Sequence, residues 1–329
     1  MAASTVMTDA FGRRFPYLRL SVTDVCNFRC TYCLPQGYKK SGGDAFLNIS
    51  EIRRAVEAFA GIGTWKIRLT GGEPTVREDF VEIARVVSSI QGIRKVAFTT
   101  NGYKLPERAQ AYFDAGLRSI NISIDSLDAQ KFHAVTGHDR LKDATDGVTA
   151  ALDAGFHTVK VNVVLLKGVN DDGLNDFLSF IKNRPVSLRF IELMQTGDNL
   201  EFFMKHHVSA SLLQQQITAS DWKLLPREEG AGPANEYVHP GFQGSIGIIA
   251  PYAKDFCATC NRLRLSAKGD LHLCLFGAKG HSLRHLMQDD SQKEELQSEI
   301  MRLLQFKKIS HFLHDGDTGA RAHLASIGG

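Results

Sequence analysis

All six cysteines of this chain fall into two triplets: Cys26, Cys30 and Cys33, spaced C-x3-C-x2-C, and Cys257, Cys260 and Cys274. Three thiolates so close together can converge on one soft metal centre. A structural zinc normally takes four ligands, and an ordinary four-iron cluster also takes four cysteines. Neither triplet has a fourth cysteine nearby, so a four-iron cluster on either leaves one iron open to a substrate or cofactor. A zinc site remains an alternative for each triplet taken alone. His272 is a conceivable fourth ligand of the second, although a hydrogen-bonding strand histidine is the commoner state. Two incomplete triplets in one chain favour two clusters with one open iron each.

A second feature accompanies the first triplet. Thr70-Gly71-Gly72-Glu73-Pro74 follows an apolar run at residues 65–70, as the first triplet follows one at 17–22. Both stretches therefore sit where strands end, the place at which α/β folds bind ligands. Paired glycines let backbone approach a ligand closely. The neighbouring carboxylate of Glu73 can accept hydrogen bonds from an ammonium group.

The elements that must position these residues are legible as an alternation. Six β-rich runs, at 17–22, 65–70, 95–100, 119–124, 158–165 and 187–192, are separated by amphipathic stretches at 50–60, 78–89, 106–115, 141–154 and 172–182. Ser50 is a good N-cap for the first, and Gly61, Gly116 and Gly155 mark helix ends. Such alternation predicts a parallel, right-handed β/α array. Six units are too few for a closed eight-fold barrel, so an open, partial (β/α) barrel is expected. After Met194 the pattern changes. A loop is expected over 196–207, a helix over 208–217 and a linker over 228–233. Short strands follow at 236–238, 245–249, 263–266 and 271–275, then helices at 282–287 and 292–307 and an irregular tail from 311. The chain thus divides into a barrel, 1–200, and a C-terminal α+β extension, 201–329, that carries the second triplet and ends in Gly328-Gly329.

Alternation within the strands carries a further message, because successive side chains face opposite ways. Leu18, Leu20 and Val22 oppose Arg19, Ser21 and Thr23; Ile67 and Leu69 oppose Lys66, Arg68 and Thr70. Likewise Ile120, Ile122 and Ile124 oppose Asn121, Ser123 and Asp125. Val159, Val161 and Val163 oppose Lys160 and Asn162, and Leu188 and Phe190 oppose Arg189. Parallel sheets are normally covered on both faces. Helices must cover the apolar face, so the polar one points into the barrel. A closed barrel usually fills its interior with branched apolar residues; a polar, cationic lumen reads instead as a substrate site.

Composition narrows the class. With 329 residues, 43% hydrophobic and 23% charged, the chain resembles a soluble globular protein. A net charge of +3 calls for neither nucleic acid nor an anionic membrane. No uninterrupted apolar stretch is long enough to span a bilayer, and residues 1–16 lack the apolar run of a secretory signal. A cytoplasmic location is expected, where structural disulfides are rare. There is no internal repeat, no low-complexity tract and no Walker A sequence.

The cysteine spacing with Gly-Gly-Glu-Pro resembles the radical S-adenosylmethionine (SAM) superfamily. Thr99-Thr-Asn-Gly102, Asn121-Ile-Ser-Ile-Asp-Ser-Leu127, Arg189-Phe-Ile-Glu192, Phe256-Cys-Ala-Thr-Cys-Asn-Arg-Leu-Arg264 and the Gly-Gly end narrow the resemblance to the GTP 3′,8-cyclase family of molybdenum cofactor biosynthesis. That resemblance implies two [4Fe-4S] clusters, on Cys26, Cys30 and Cys33 and on Cys257, Cys260 and Cys274. It implies SAM contacts at Tyr32, Gly72, Ser123 and Met194, and GTP contacts at Arg19, Arg68, Thr99, Lys160, Arg262, Leu263 and Arg264. Arginine forks suit phosphate oxygens and lysine adds a point charge. The implied reaction uses a radical from SAM, not a catalytic side chain. A 5′-deoxyadenosyl radical takes hydrogen from C3′ of GTP, and the ring closes on C8. The product is 3′,8-cyclo-7,8-dihydroguanosine 5′-triphosphate. The second cluster orients guanine, and the Gly-Gly tail reaches into the site. An electron donor and a downstream cyclic pyranopterin-forming enzyme are the implied partners, with the chain a monomer or homodimer. Two alternatives stand. One is a two-cluster radical SAM enzyme acting on a peptide, which calls for a docking domain that the residues before Cys26 do not accommodate. The other is a zinc protein that binds RNA, which calls for clustered basic and aromatic residues.

Overall fold

The computed structural model describes residues 6–39, 45–277, 280–319 and 325–328. Strands and helices alternate through its first two thirds: β1 (Tyr17–Thr23), α1 (Ile49–Gly61), β2 (Lys66–Gly71), α2 (Phe80–Ser89), β3 (Lys95–Thr100), α3 (Leu105–Asp114), β4 (Ser119–Ser123), α4 (Ala129–Thr136), α5 (Leu141–Asp153), β5 (Thr158–Leu165), α6 (Leu174–Lys182) and β6 (Val186–Glu192). Then come α7 (Leu200–His206), α8 (Ala210–Thr218), β7 (Lys223–Leu224), β8 (Asn235–Val238), β9 (Ser245–Ile249), β10 (Arg262–Leu265), β11 (Asp270–His272), β12 (His281–Ser282) and α9 (Lys293–Leu304). Strands β1 to β6 lie side by side and parallel, as the alternation predicts. No helix among the described residues is long and apolar enough to cross a membrane.

The C-terminal strands do not form a separate layer. β10 joins the β1 edge in parallel and β9 joins the β6 edge in parallel, within one twelve-stranded sheet. The two flanks curl toward each other. Asn261, just before β10, donates its amide to the Ala231 carbonyl, just before β8, at 3.0 Å. Arg227 donates to Thr259 at 2.7 Å. The linker at 228–233 therefore bridges both flanks across the N-terminal ends of the parallel strands.

Strand alternation sorts the side chains as expected. Leu18, Leu20, Ile67, Leu69, Phe98, Ile120, Val161 and Leu188 share one apolar core with Phe59, Ile83, Tyr112, Val148 and Phe177 from the helices. Burying each such side chain stabilises by about 1.5–3 kcal/mol. Phe98 packs against Phe80, Tyr112 and Phe156 at ring distances of 5.6, 5.3 and 6.2 Å, so Phe98→Ala should cost about 3–5 kcal/mol.

Several local expectations are corrected. The N-cap of α1 is Asn48, not Ser50: its side chain accepts from the Glu51 amide and Glu51 accepts from the Asn48 amide, a full capping box. The helix runs through Gly61, and the left-handed residue that follows it is Gly63 (φ +105°). Gly116 and Gly155 do take positive φ at helix ends. A short helix, α7, occupies part of the expected loop at 196–207, and α4 was not anticipated. In place of a helix at 282–287 there is a single 3-10 turn, Arg284–Leu286.

Candidate active site

The first triplet sits on the loop that leaves the C-terminal end of β1. Two backbone bonds to α4 fix this loop, Arg29 N–H to Thr136 at 3.1 Å and Thr31 N–H to Val135 at 2.9 Å. Phe28 anchors it, stacked on His138 with ring centroids 4.8 Å apart. Two further bonds tie it to β2: Gly72 N–H donates to the Thr23 carbonyl and Glu73 N–H to that of Val25. No Cβ fits at Gly72, where one would stand 2.4 Å from the Val25 carbonyl oxygen. This close approach is the physical content of the Gly-Gly pair.

Cys26, Cys30 and Cys33 line a cavity of about 180 Å³ together with Tyr32, Gly72, Thr99, Ser123 and Met194. All four expected SAM residues are therefore on one wall system with the thiols. Burial pushes the Cys26 thiol up to about 11 and Cys33 up to about 12, and holds Cys30 well above its usual value. Each thiol of Cys30 and Cys33 also feels its neighbours' charge. Yet no three His, Cys, Asp or Glu side chains among the described residues converge on a single ion. Three thiols on one cavity are a donor set for an iron–sulfur cluster. The Phe28 and Asn27 amides face the Cys26 sulfur and favour its thiolate, so the donor set fits such a group.

Three carboxylates line this cavity, Glu73, Asp125 and Glu192. Glu73 is already satisfied: it accepts from Thr75 N–H and Oγ1, Thr100 Oγ1 and Asn101 N–H at 3.0, 2.7, 2.9 and 2.6 Å. It pins the ends of β2 and β3. Asp125 accepts from Tyr32 Oη at 2.9 Å and from Val164 N–H at 2.9 Å. It thereby locks the aromatic ring beside Cys33 to β5. Burial raises the Asp125 carboxyl to about 6.

Below the cavity, the lumen is cationic. Arg264, Arg19 and Arg68 are register neighbours on β10, β1 and β2, on strands about 4.8 Å apart. Arg262, Tyr17 and Lys66 form the next row toward the N-terminal ends. Lys160 and Arg189 project from β5 and β6. Arg68, Arg189 and Arg264 are 5%, 6% and 7% exposed. Burial lowers Arg19 to about 10, aided by Arg68 and Arg262, and Lys160 to about 7, aided by Arg189. Arg68 donates to Tyr17 Oη at 2.5 Å and to Thr99 Oγ1 at 3.2 Å. Burial would raise the Tyr17 phenol, but Arg68, Arg19 and Lys66 more than offset this and bring it to about 7. Leu263 differs from the other expected nucleotide contacts. Strand alternation turns its side chain into the apolar core, 1% exposed, which leaves only its backbone for a ligand.

The second triplet lies at the opposite end of the lumen, because Cys257 and Cys260 precede β10 and Cys274 follows the antiparallel β11. Cys257 faces the His311 amide and the Ser310 side chain and feels the charges of Cys260 and Cys274. Burial pushes Cys260 up, but Arg262 and Lys307 more than offset it and bring it to about 7. A cation-lined site with three sulfur donors results, which fits a cluster of the same kind as the first. His272 is buried on β11 opposite Arg264. Between the two triplets the C-terminal 3-10 turn, Ala325–Ile327, packs against β1 and β2. Arg264 donates to the Ile327 and Gly328 carbonyls at 3.3 and 3.0 Å. Gly329 lies outside the described residues.

Comparison with known proteins gives this geometry a family. The radical SAM superfamily model matches residues 20–181, and the Molybdenum Cofactor Synthesis C model matches residues 186–313. GTP 3′,8-cyclase of Vibrio vulnificus (strain YJ016) is 54% identical over 323 residues, 98% of this chain and 97% of that protein. The GTP 3′,8-cyclase of Aeromonas hydrophila is 53% identical over 328 residues, 98% of this chain and 96% of that one. The chain belongs to the GTP 3′,8-cyclase family. It is a radical SAM enzyme that uses SAM and an iron–sulfur cluster. Among solved structures, Streptococcus suis SuiB bound to S-adenosylmethionine aligns over 86% of this chain and 68% of that one, with a TM-score of 0.55 at 13% identity. That likeness shows the fold.

Lys66, Asp125 and Arg189, on the polar strand faces, also join the site, as do Tyr17 and Glu236. Strand parity was the available signal for Tyr17, two residues before Arg19. For Glu236 there was none, because it reaches the lumen through the pairing of β8 with β9.

Proposed function

We propose that this chain converts GTP to 3′,8-cyclo-7,8-dihydroguanosine 5′-triphosphate, the first step of molybdenum cofactor biosynthesis. One observation carries the reading: three arginines sit side by side across β10, β1 and β2, nearly buried, between two cysteine triplets. Buried like charges are costly alone; a triphosphate repays that cost with charge-assisted bonds.

Four-iron clusters on Cys26, Cys30 and Cys33 and on Cys257, Cys260 and Cys274, with SAM beside the first, would supply the one-electron chemistry and an anchor for guanine. The chain supplies position and exclusion of water. Tyr32, braced by Asp125, forms one wall for SAM, with Gly72, Ser123 and Met194 completing the cavity. Arg19, Arg68, Thr99, Lys160, Arg262, the Leu263 backbone and Arg264 orient the triphosphate, joined by Lys66 and Arg189. The Ala325–Ile327 turn narrows the space between SAM and nucleotide. Residues 1–200 thus carry SAM, and residues 201–329 close the lumen and hold the second triplet. A reductant delivers electrons, and a downstream cyclic pyranopterin-forming enzyme takes the product. The protein works in the cytoplasm as a monomer or homodimer.

The test is anaerobic. Reconstituted protein with SAM, a strong reductant and each of the four ribonucleoside triphosphates is followed by mass spectrometry. GTP alone should yield the cyclised nucleotide alongside 5′-deoxyadenosine. Release of 5′-deoxyadenosine without conversion of GTP would refute the substrate.

A further inference from the structure

Among the lumen cations one carboxylate is out of keeping with an anion site. Glu236 accepts from Arg189 and, at 3.2 Å, from Lys160, both through Oε1. The reach is built into the sheet. Glu236 on β8 is in register with Gly247 on β9, and Gly247 with Arg189 on β6. A Cβ on Gly247 would stand 3.0 Å from Arg189 Cγ, so the bare glycine lets the guanidinium lie across β9 to the carboxylate. The two sides of the contact are not equal. The Arg189 and Lys160 side chains are 7% and 16% exposed, Glu236 29%. The cations project from central strands, whereas Glu236 comes from the short outer strands. Arg189 also keeps a buried Nε without a hydrogen-bond partner among the described residues, a further donor on the same side chain.

We infer that Glu236 is an internal counter-ion that holds the place of a phosphate on Lys160 and Arg189 and is displaced from them when a polyphosphate binds. This rests on the triphosphate reading of the lumen. A carboxylate oxygen between two cations offers them what a phosphate oxygen offers. It keeps both side chains charged and extended before substrate arrives, so less ordering remains to be done on binding. It also opposes any anion that enters. Inorganic phosphate meets this opposition with a single charged group, whereas a chain of three phosphates contacts enough of Arg19, Arg68, Arg262 and Arg264 to overcome it. Glu236 thereby sets the affinity an anion must reach to enter, acting through the cations and not through the reacting atoms.

Calorimetric titration of the anaerobically reconstituted holoenzyme with inorganic triphosphate and with inorganic phosphate tests this. Glu236→Gln keeps the volume and one acceptor while removing the charge. It should bind triphosphate about tenfold more tightly than the wild type and hold phosphate more tightly by a comparable factor. If Glu236→Gln does not fold, Glu236→Asp, whose shorter reach loosens the same contacts, should bind about threefold more tightly. An unchanged or weaker triphosphate affinity in the folded variant overturns the inference while leaving the lumen reading in place. A wild type that takes up no triphosphate sinks the lumen reading and the inference with it.

Discussion

Gly72→Ala is the sharpest test of how the cluster loop is set against the SAM cavity. An alanine Cβ at this position would lie 2.4 Å from the Val25 carbonyl oxygen, 2.7 Å from that of Asp24 and 2.7 Å from the Val25 carbonyl carbon. All three are backbone atoms, so no side chain can swing away. The nearest contact is about 1 Å short of the 3.4 Å at which ordinary contact begins. Either β2 or the loop that carries Cys26 must retreat by that much. Overpacking of this kind costs about 1–3 kcal/mol, which a domain with this core survives. Chemistry is less tolerant, since a misplacement of about 1 Å costs on the order of 10²-fold in rate, equivalent to about 2.7 kcal/mol of barrier. The variant should therefore fold and keep its iron. It should form 5′-deoxyadenosine from SAM about a hundredfold more slowly, with GTP affinity unchanged. Iron and sulfide analysis, calorimetry with GTP and a single-turnover SAM cleavage assay read these separately. Wild-type cleavage at wild-type cluster content would show that the Gly72–Val25 approach does not set the geometry.

Three further outcomes are expected. Asp125→Ala leaves the Tyr32 hydroxyl and the Val164 amide without their acceptor, a loss of about 2–3 kcal/mol in chemical denaturation; the KM for SAM should rise while the iron content holds, and an unchanged KM would separate Tyr32 from SAM binding. Arg13→Ala removes the bonds to the Cys257, Lys308 and Ile309 carbonyls at 3.1, 2.7 and 2.8 Å, so under the two-cluster proposal iron should fall from about eight to about four per chain, the value that proposal also expects of Cys257→Ala. Glu51, buried against Arg284 at 2.8 Å, gives a pH signature. Burial raises its carboxyl, but Arg284, Gln288 and the Asn48 amide more than offset this and bring it to about 2 from 4.5. The folded value lies below the unfolded one, so its stabilisation is complete above about 4.5 and fades as pH falls toward 2. Glu51→Gln should cost about 3 kcal/mol at neutral pH, with the gap from wild type closing over that window in urea titrations.

How much of this was legible beforehand follows the range of the interactions. The strand at residues 158–165 is a run of β-branched residues alternating with Lys160 and Asn162, and it was read to the residue. Period-2 alternation needs only a strand's own sequence. The cysteine triplets and the Gly-Gly pair were equally local. Misreadings were local too, where two signals competed. Ser50 and Asn48 are both good caps, and the deciding partner was Glu51, at the N3 position of Asn48. Gly61 fits inside α1 because Gly63, two residues on, takes the positive φ instead.

What sequence could not give is the joining of distant strands. Nothing in residues 245–265 says that β9 will pair with β6 or β10 with β1, yet those two pairings bring Arg264 beside Arg19 and place Glu236 against Arg189. The cost of that arrangement explains why it needs the rest of the fold. Three neighbouring guanidiniums would spread apart on a flexible chain, but each strand here is fixed from behind by the apolar core, Leu18, Leu20, Ile67, Leu69 and Leu263 among it. The same alternation that sends Leu263 away from the lumen thus holds Arg262 and Arg264 in it. Stability is stored on one face of the sheet and spent on the other, and an anion that binds the lumen recovers part of it.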